Sequence, residues 1–595
     1  MMQDSSISPA SELRHAPAIH SRLGSLAWLI PGFLVIAGIG ALAAAWIPFH
    51  IVAARARAAS TSGQGTFFSA EFYHVIQFRL RVIGLGNLLA TALLLPFGKT
   101  IREIGSRVRT DFSRLIADAK SGAASITLAD GLGVLLLILI GGWLRFGLLF
   151  QPMRGDEAYS FTEYASHPFY VGLSFYNFPN NHLLQTLLMR CSYLVLGSRP
   201  WALRLPVFVA GLLLIPATYL ASRSLYKTPS GVLAAALGAC SSTLIEYSTN
   251  ARGYIFVCLV VAILIPVAAH ILRTDNWASW LLLACLSVIG FYAVPIMLYP
   301  FAGIVIWMVF CSLAADAGTD VRGVIRGVCF AAGVAGVATL ELYSPVFAVS
   351  GLSAVFGNKW VTAIRFPAFI RNLPLSFVST WKQWNWDFPR SLEWLLAAGF
   401  LVALILQRRC ARQRVALPVA IVAAVLPLLL MQRVVPFERV WLFALPVYFI
   451  VASAGIALGL DLVRAQSRNA MVAIAIAVAL IAGINGRRSR SVYLSNEGRG
   501  FEQLAIFLKS DLKPGDIVIA VLSSEAPLRY YFQQYDVPSS YLNAPGGNRV
   551  LVVVNQVSGD TMQPLFEYAK RRDLNGRREK LVREFDSLQL YEIAN

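Results

Sequence analysis

Two adjacent carboxylates, Asp156 and Glu157, follow a strongly apolar run that ends at Phe150. A carboxylate in a partly dehydrated cleft at a membrane surface is costly without a partner, so the pair is a candidate for proton abstraction or metal binding. The alternative interpretation is structural: Asp156 caps a short interfacial helix, and Glu157 lies in its first turn beside a solvated Arg154. Both interpretations place the pair where a membrane segment meets water.

A second group of polar residues lies further along the same loop. Asn180, Asn181 and His182 immediately precede an apolar segment, and a helix that begins there could bind an anion or a sugar. The asparagines can also be turn and capping residues, and His182 a satisfied helix-start histidine. The group is more informative than any single member.

Arginines recur where apolar segments end on the same predicted side. Guanidinium groups suit phosphate oxygens, although each could instead pair with an acid or a lipid headgroup. In the turn 433–439, Glu438 offers a salt-bridged alternative. Tyr254 could contact substrate or anchor its helix in the aromatic belt. The candidate phosphate-binding cations are Arg204, Arg252, Arg433 and Arg439.

The composition places these residues in a membrane protein. Hydrophobic residues make up 57% of the chain and charged residues 14%, and the mean hydropathy is +0.61. Because one crossing needs about 20 apolar residues, we predict a polytopic α-helical protein with about 11 core spans and an N-terminal hairpin. The predicted core spans are 131–150, 202–224, 229–246, 252–272, 277–293, 296–314, 324–346, 391–407, 415–432, 437–460 and 468–484.

The formal charge of +19 does not indicate nucleic-acid binding, because Lys and Arg lie mostly in short segments between apolar runs. Positive loops stay in the cytoplasm, which assigns the basic stretch Lys99–Lys120 to that side. Successive crossings then place the loops 151–201, 347–390 and 433–436, and everything after about Ile484, on the outer side. The carboxylate pair is therefore predicted to be extracytoplasmic.

The pattern of hydropathy and charge along the sequence divides the chain into an N-terminal hairpin, a helical bundle and a C-terminal tail. The stretch Leu26–Phe49 is interpreted as a retained anchor. Apolar runs of strand length at Asp516–Leu522 and Val550–Val554 predict a small α/β domain. The seven cysteines have no metal-ligand spacing and are interpreted as packing residues. The predicted units are 1–125, an N-terminal hairpin with a basic cytoplasmic segment; 126–484, the transmembrane domain; and 485–595, an extracytoplasmic α/β domain.

Five segments carry a wider pattern: Arg154–Ser160, the Pro-Asn-Asn-His-Leu-Leu sequence from Pro179, Arg204–Pro206, Asn250–Tyr254 and Pro436–Pro446. Together they resemble membrane glycosyltransferases of the GT-C class, especially bacterial family 39 and aminoarabinose-transferase-like enzymes. The resemblance covers roughly residues 130–484 and leaves the first 125 unexplained. It implies a GT-C-like catalytic domain in the bacterial inner membrane, with an extracytoplasmic active site.

Such enzymes transfer a sugar from a polyprenyl-phosphate donor to a lipid, glycan or protein acceptor. By that resemblance Asp156 is the general base, Glu157 positions the acceptor or helps to bind a divalent ion, and the anomeric carbon is inverted. Fixed positive charge stabilises the leaving phosphate, with Arg252 and Arg439 foremost. Arg204 and Arg433 are further candidates, and His182 lies where some relatives use a basic phosphate-binding residue. The implied substrate-binding residues are Arg154, Tyr159, Asn180, Asn181, Tyr254 and Glu438. Membrane lipids are further partners, and no nucleotide cofactor is implied.

Two other functions fit the same residues. A transporter or lipid flippase also places arginines and carboxylates in a membrane, but it does not cleave a donor bond. A noncatalytic assembly protein would use its outer loops and tail to bind envelope polymers. Transfer of a sugar from a lipid phosphate distinguishes the enzyme from both.

Overall fold

The computed structural model describes residues 29–59, 68–315, 320–357, 362–462, 468–493, 498, 500–545, 547 and 549–594. Within these ranges the chain is mainly helical, with one small sheet near the C-terminus. This confirms the predicted fold class of a polytopic helical membrane protein with a C-terminal α/β unit. Residues 1–28 of the predicted N-terminal unit lie outside the described part.

The first four helices form the N-terminal unit, and the next eighteen form the bundle with its loops. The N-terminal helices are α1 Leu29–Ala44, α2 Phe49–Ala59, α3 Ala70–Leu94 and α4 Gly98–Ala124. The others are α5 Leu128–Phe146, α6 Gly155–Ser160, α7 Phe169–Gly172, α8 Leu183–Leu196, α9 Pro200–Leu225, α10 Gly231–Cys240, α11 Ser242–Tyr247, α12 Tyr254–Thr274, α13 Trp277–Ala293, α14 Leu298–Leu313, α15 Val321–Val349, α16 Leu352–Phe356, α17 Phe366–Asn385, α18 Arg390–Ile405, α19 Gln407–Cys410, α20 Leu417–Gln432, α21 Ala444–Leu462 and α22 Arg468–Tyr493.

Among the described residues, seven helices are long and apolar enough to cross a membrane, or up to nine if each of two bent pairs is one span. The predicted spans 277–293, 415–432 and 468–484 coincide with shorter apolar helices. The predicted span 229–246 breaks at Ser241, whose Oγ accepts a hydrogen bond from Leu244 N–H and starts α11. The apolar helix α8 was not predicted as a span.

One apolar core runs through the bundle and contains residues of α9, α12 and α21. Helix α10 is buried on every side, which fits its uniformly apolar sequence. This continuous packing fixes the ends of the helices relative to one another, so the loops at each end form defined surfaces.

The basic segments collect at one end of the bundle. His270, near the end of α12, lies 3.1 Å from Asp118 of α4, and Trp277 N–H donates to Asp111 Oδ2 of α4. At the same end, Lys227 N–H donates to the carbonyl oxygen of Cys410. The segments that the charge pattern assigned to one side therefore meet in space.

The tail forms a compact α/β unit. Its strands are β1 Asp516–Ile519, β2 Arg549–Asn555, β3 Glu579–Phe585 and β4 Leu588–Ile593, and its helices are α23 Phe501–Asp511, α24 Leu522–Gln534 and α25 Met562–Tyr568. The sheet order is β1-β2-β4-β3, with β1 and β2 parallel and the other pairs antiparallel. The predicted boundary at 484/485 falls inside α22, which continues to Tyr493.

The tail packs on the loop that follows α5. Met153, Phe161 and Met189 share one apolar cluster with residues of α23, α24 and the sheet. Tyr530 OH donates to the carbonyl oxygen of Ser198 at 2.6 Å. The loop with the carboxylate pair is thus enclosed between the bundle and the tail.

Candidate active site

Helix α6 carries both carboxylates of the pair. Arg154 is extended at φ −86° and ψ 161°, and its N–H donates to Glu157 Oε2 at 3.2 Å, which starts the helix. Successive residues of an α-helix are rotated by about 100°, so Asp156 and Glu157 point in different directions. The helical start therefore separates the two acids, and the capping interpretation of this segment applies to Glu157 instead of Asp156.

Glu157 is fully buried against Arg204 of α9. Arg204 Nε lies 2.9 Å from Glu157 Oε1, and Arg204 Nη2 lies 2.6 Å from Oε2. Ala251 N–H also donates to Oε1, at 2.6 Å. Although burial alone raises the pKa of Glu157, the Arg204 charge and these hydrogen bonds hold that pKa below its ordinary value. Glu157 is an ionised structural carboxylate.

The structure revises the expected roles of Glu157 and Arg204. The remaining Arg204 N–H groups donate to the carbonyl oxygens of Leu149, Gln151 and Pro152. The guanidinium is fully occupied and therefore does not present donors to a lipid phosphate. The described residues contain no group of three or more His, Cys, Asp or Glu that could hold a metal ion. The surroundings of Glu157 do not fit a divalent ion.

Asp156 is 55% exposed. Its Oδ2 lies 2.5 Å from Arg252 Nη1, in the segment before α12. Arg252 is buried, its guanidinium stacks 5.3 Å from the ring of Tyr254, and its Nε has no hydrogen-bond partner among the described residues. An accessible carboxylate thus faces a buried cation that retains an unused donor.

His182, at the start of α8, is buried beside the same cation. Gly253 N–H donates to His182 Nδ1 at 2.6 Å, so Nδ1 is the acceptor and the ring proton is on Nε2. Burial and the charges of Arg252 and Arg439 hold the pKa of His182 well below its ordinary value. The neutral form of the ring is therefore favoured at physiological pH. Its Nε2–H has no partner among the described residues.

The turn 433–439 approaches this region through Arg439. Arg439 is half-buried, stacks 4.6 Å from the Phe437 ring, and adds its charge to the field at His182. Glu438 accepts a hydrogen bond from Ser379 Oγ at 2.5 Å. The predicted pairing of Glu438 with a neighbouring arginine is not among the described ion pairs. Arg433 is exposed and follows the last turn of α20 in a left-handed backbone conformation.

The remaining predicted residues make contacts that hold the loop in place beside α6. Asn181 is buried and donates to the carbonyl oxygens of Gly172 and Phe175, so it holds its own loop. Arg154 pairs with Glu246 at 3.1 Å. Asn180 donates to the carbonyl oxygen of Asp156, while its own Oδ1 has no partner in the described part of the chain. These contacts tie the second polar group of the loop to α6.

Tyr159 stands on α6 beside the second polar group. Its hydroxyl accepts from Asn177 Nδ2 at 3.1 Å, and its ring packs edge-on against Phe178 at 5.2 Å. Burial, helped by the charge of Glu163, raises the pKa of Tyr159 to about 12. The hydroxyl is therefore neutral at physiological pH and acts as a hydrogen-bonding group.

Sequence reasoning missed the contribution of the tail. Arg529 of α24 lies 2.8 Å from Glu163, one turn beyond α6, and also pairs with Glu525. Gly155 packs against Ser523, since a Cβ at Gly155 would lie 3.2 Å from the Ser523 carbonyl oxygen. No local signal joins residues more than 350 positions apart in the chain, as Glu163 and Arg529 are. The tail forms one support of the helix that carries Asp156.

Comparisons with known proteins bear on the fold and on one segment of the chain. Residues 179–325 match the family model of dolichyl-phosphate-mannose-protein mannosyltransferases. The fold is similar to that of ArnT from Cupriavidus metallidurans in the apo state, with a TM-score of 0.50 and 12% identity over 78% of this chain and 98% of that one. The ArnT structure bound to undecaprenyl phosphate gives the same TM-score and identity over 77% and 97% of the chains. Comparison with curated protein sequences finds no match.

The fold is therefore that of the GT-C class. This fold and the matched segment 179–325 agree with the GT-C resemblance found in the sequence.

Proposed function

We propose that this protein transfers a sugar from a polyprenyl phosphate to an acceptor hydroxyl, with Asp156 as the general base. The observation that carries the proposal is the 2.5 Å contact between the exposed Asp156 carboxylate and buried Arg252. The proposed base and the proposed phosphate-binding cation are thus neighbours at one end of the helical bundle. The undecaprenyl phosphate bound to the structurally similar ArnT supports a donor of this kind.

The donor phosphate is proposed to bind Arg252, His182 and Arg439. Arg252 Nε and His182 Nε2 are buried donors that lack partners among the described residues, and buried donors of this kind are costly unless a ligand satisfies them. Phosphate oxygens would accept from both groups. Arg439 would add positive charge and stabilise the departing phosphate without a proton donor.

The chemical step is a single displacement. The acceptor oxygen forms a bond to the anomeric carbon, its proton passes to Asp156, and the bond from that carbon to the phosphate oxygen breaks with its electron pair going to the phosphate. One displacement inverts the configuration at the anomeric carbon. Since Arg252 holds Asp156 before the donor binds, competition by the phosphate would release the carboxylate for proton abstraction.

The other site residues are proposed to position this pair. Glu157 and Arg204 hold α6 in position, and Tyr159 and Asn180 would contact the acceptor beside Asp156. Arg433 and Glu438 are proposed to act at the edge of the donor site. Because the basic segments collect at the other end of the bundle, we assign the site around Asp156 to the extracytoplasmic face of the bacterial inner membrane.

The test uses purified protein in vesicles with labelled polyprenyl-phosphate sugars and candidate hydroxyl acceptors. Wild-type protein should release polyprenyl phosphate and a glycosylated acceptor, Asp156→Asn should not, and Asp573→Asn, on the exposed face of the tail, should behave as wild type. The anomeric configuration of the product reports inversion. Translocation of the intact donor by wild-type protein without cleavage of the sugar-phosphate bond would refute the proposal.

A further inference from the structure

Helix α4 carries none of the residues proposed for the glycosyltransferase site. It continues the apolar helix α3 through a 3-10 helical stretch at Leu95–Phe97, and the apolar helix α5 begins at Leu128, soon after its end. Both ends of α4 are therefore tied to membrane-spanning segments. Any surface of α4 that faces away from the bundle stays near lipid headgroups.

The second half of α4 crosses the basic end of the bundle. Its Asp111 accepts from Trp277 N–H at 2.9 Å, its Asp118 lies 3.1 Å from His270, and Ser125, which follows the helix, accepts from Arg223 Nη2 at 3.0 Å. Ile104 and Val108 pack against the apolar core on the same face. These contacts define the inward face of the helix.

A different face of α4 is exposed and combines cations with large apolar groups. Phe112 is 57% exposed and Ile116 is 40% exposed, and both lie within the same helical stripe as three exposed cations. We call this set the α4 stripe. Its members are Arg102, Arg109, Phe112, Ile116 and Lys120.

Two other arginines of α4, Arg107 and Arg114, lie on a different face of the helix from the α4 stripe. Arg114 lies 3.4 Å from Asp111, and the positive charge of Arg107 acts on the exposed carboxyl of Asp275. These two arginines face acids of the protein. The cations of the α4 stripe have no ion pair among the described residues, so their charge is directed outward.

We propose that the α4 stripe is a binding surface for anionic phospholipid headgroups. Phe112 and Ile116 would enter the boundary between headgroups and acyl chains, while Arg102, Arg109 and Lys120 would extend along the surface to phosphate groups. The stripe combines cations with apolar side chains, which favours a bilayer over an acidic protein domain. Exposed aromatic and aliphatic side chains are stabilised when they insert between lipids beneath a charged surface. The proposal does not depend on the glycosyltransferase reaction.

The test measures amide hydrogen exchange of peptides from 102–120 in full-length protein reconstituted into nanodiscs. We expect exchange to be about threefold slower in phosphatidylglycerol than in phosphatidylcholine, and the difference to shrink in 0.5 M NaCl by screening. The variant Arg109→Gln/Lys120→Gln should lose the difference, and the matched variant Arg107→Gln/Arg114→Gln should keep it. Each variant removes two positive charges from the same helix.

Two results would overturn the proposal. The first is equal exchange of wild-type α4 in the two lipids, and the second is equal loss of the difference in both double variants. Phe112→Ser/Ile116→Ser provides an independent check, because it leaves the charges in place and should reduce protection in phosphatidylglycerol. Circular dichroism and the melting temperature of each variant confirm that the helix and the bundle remain folded.

Discussion

Asp156 and Arg252 form an ion pair in which one partner is accessible and the other is buried. The carboxylate belongs to α6 and the guanidinium to the segment before α12, so the pair joins two loops at one end of the bundle. A ligand that carries its own negative charge competes for the guanidinium. The effects of substitutions at the two positions should therefore differ in kind.

Replacement of Asp156 should act on the chemical step. Asp156→Asn keeps the size of the side chain but removes the proton acceptor, so kcat should fall by about 10²- to 10⁴-fold with little change in donor affinity. Steady-state kinetics with saturating donor measures this. Asp156→Glu retains the base at altered reach and should recover part of the rate; equal activity of Asn and wild-type enzymes would remove Asp156 from the reaction.

Replacement of Arg252 should act on donor binding. Arg252→Gln removes a buried cation and should weaken binding of polyprenyl phosphate by about tenfold or more, because charge-assisted hydrogen bonds to phosphate contribute about 1.5–3 kcal/mol. Titration with polyprenyl phosphate measures the change. Arg439→Gln should have a smaller effect of the same sign, and Arg371→Gln, an exposed cation on α17, serves as the control. Comparable losses at Arg371 and Arg252 would show a general charge effect.

The neutral state of His182 predicts a pH dependence of stability. Its folded-state pKa is well below 6.5, so below about pH 6.5 the unfolded chain binds a proton that the folded chain does not. Stability should therefore fall as the pH decreases below that value, by about 1.4 kcal/mol per pH unit for this single group. Melting temperatures between pH 7 and pH 5 should fall less in His182→Gln than in wild-type protein. Identical pH profiles would contradict a buried neutral histidine.

The Glu157–Arg204 pair predicts a stability effect instead of a catalytic one. Glu157→Gln leaves Arg204 buried without its counter-charge and should cost about 3–5 kcal/mol. Arg572→Gln, which removes an exposed ion pair with Glu567 in the tail, should cost about 1 kcal/mol or less. Thermal unfolding in detergent compares the two. A Glu157→Gln enzyme with wild-type stability and no activity would instead support a direct role in the reaction.

Hydropathy and charge patterning were sufficient to predict the bundle, because apolar spans and basic loops are local signals. They could not separate Asp156 from Glu157, since the direction of each acid depends on where α6 begins. Arg204 looked like a phosphate ligand because the sequence does not show that the Glu157 carboxylate and backbone carbonyl oxygens surround its guanidinium. Helix α8, with 14 residues, was shorter than the length expected of a span.

The tail was predicted only in part. The runs of β1 and β2 are nearly continuous apolar segments, whereas β3 is exposed at most positions and gives a weak pattern. The contact between Arg529 and Glu163 depends on how the tail docks, which no local pattern encodes. His182 could be placed at a helix start, but its lowered pKa follows from burial and from the charges of Arg252 and Arg439.

The apolar cluster shared by the tail and the loop after α5 has a practical consequence. Removal of residues beyond α22 would strip one wall from the six-residue segment that holds Asp156 and expose Met153 and Phe161 to water. Shortened versions of this enzyme should therefore lose turnover and aggregate together. The tail expressed alone would likewise present the matching apolar surface.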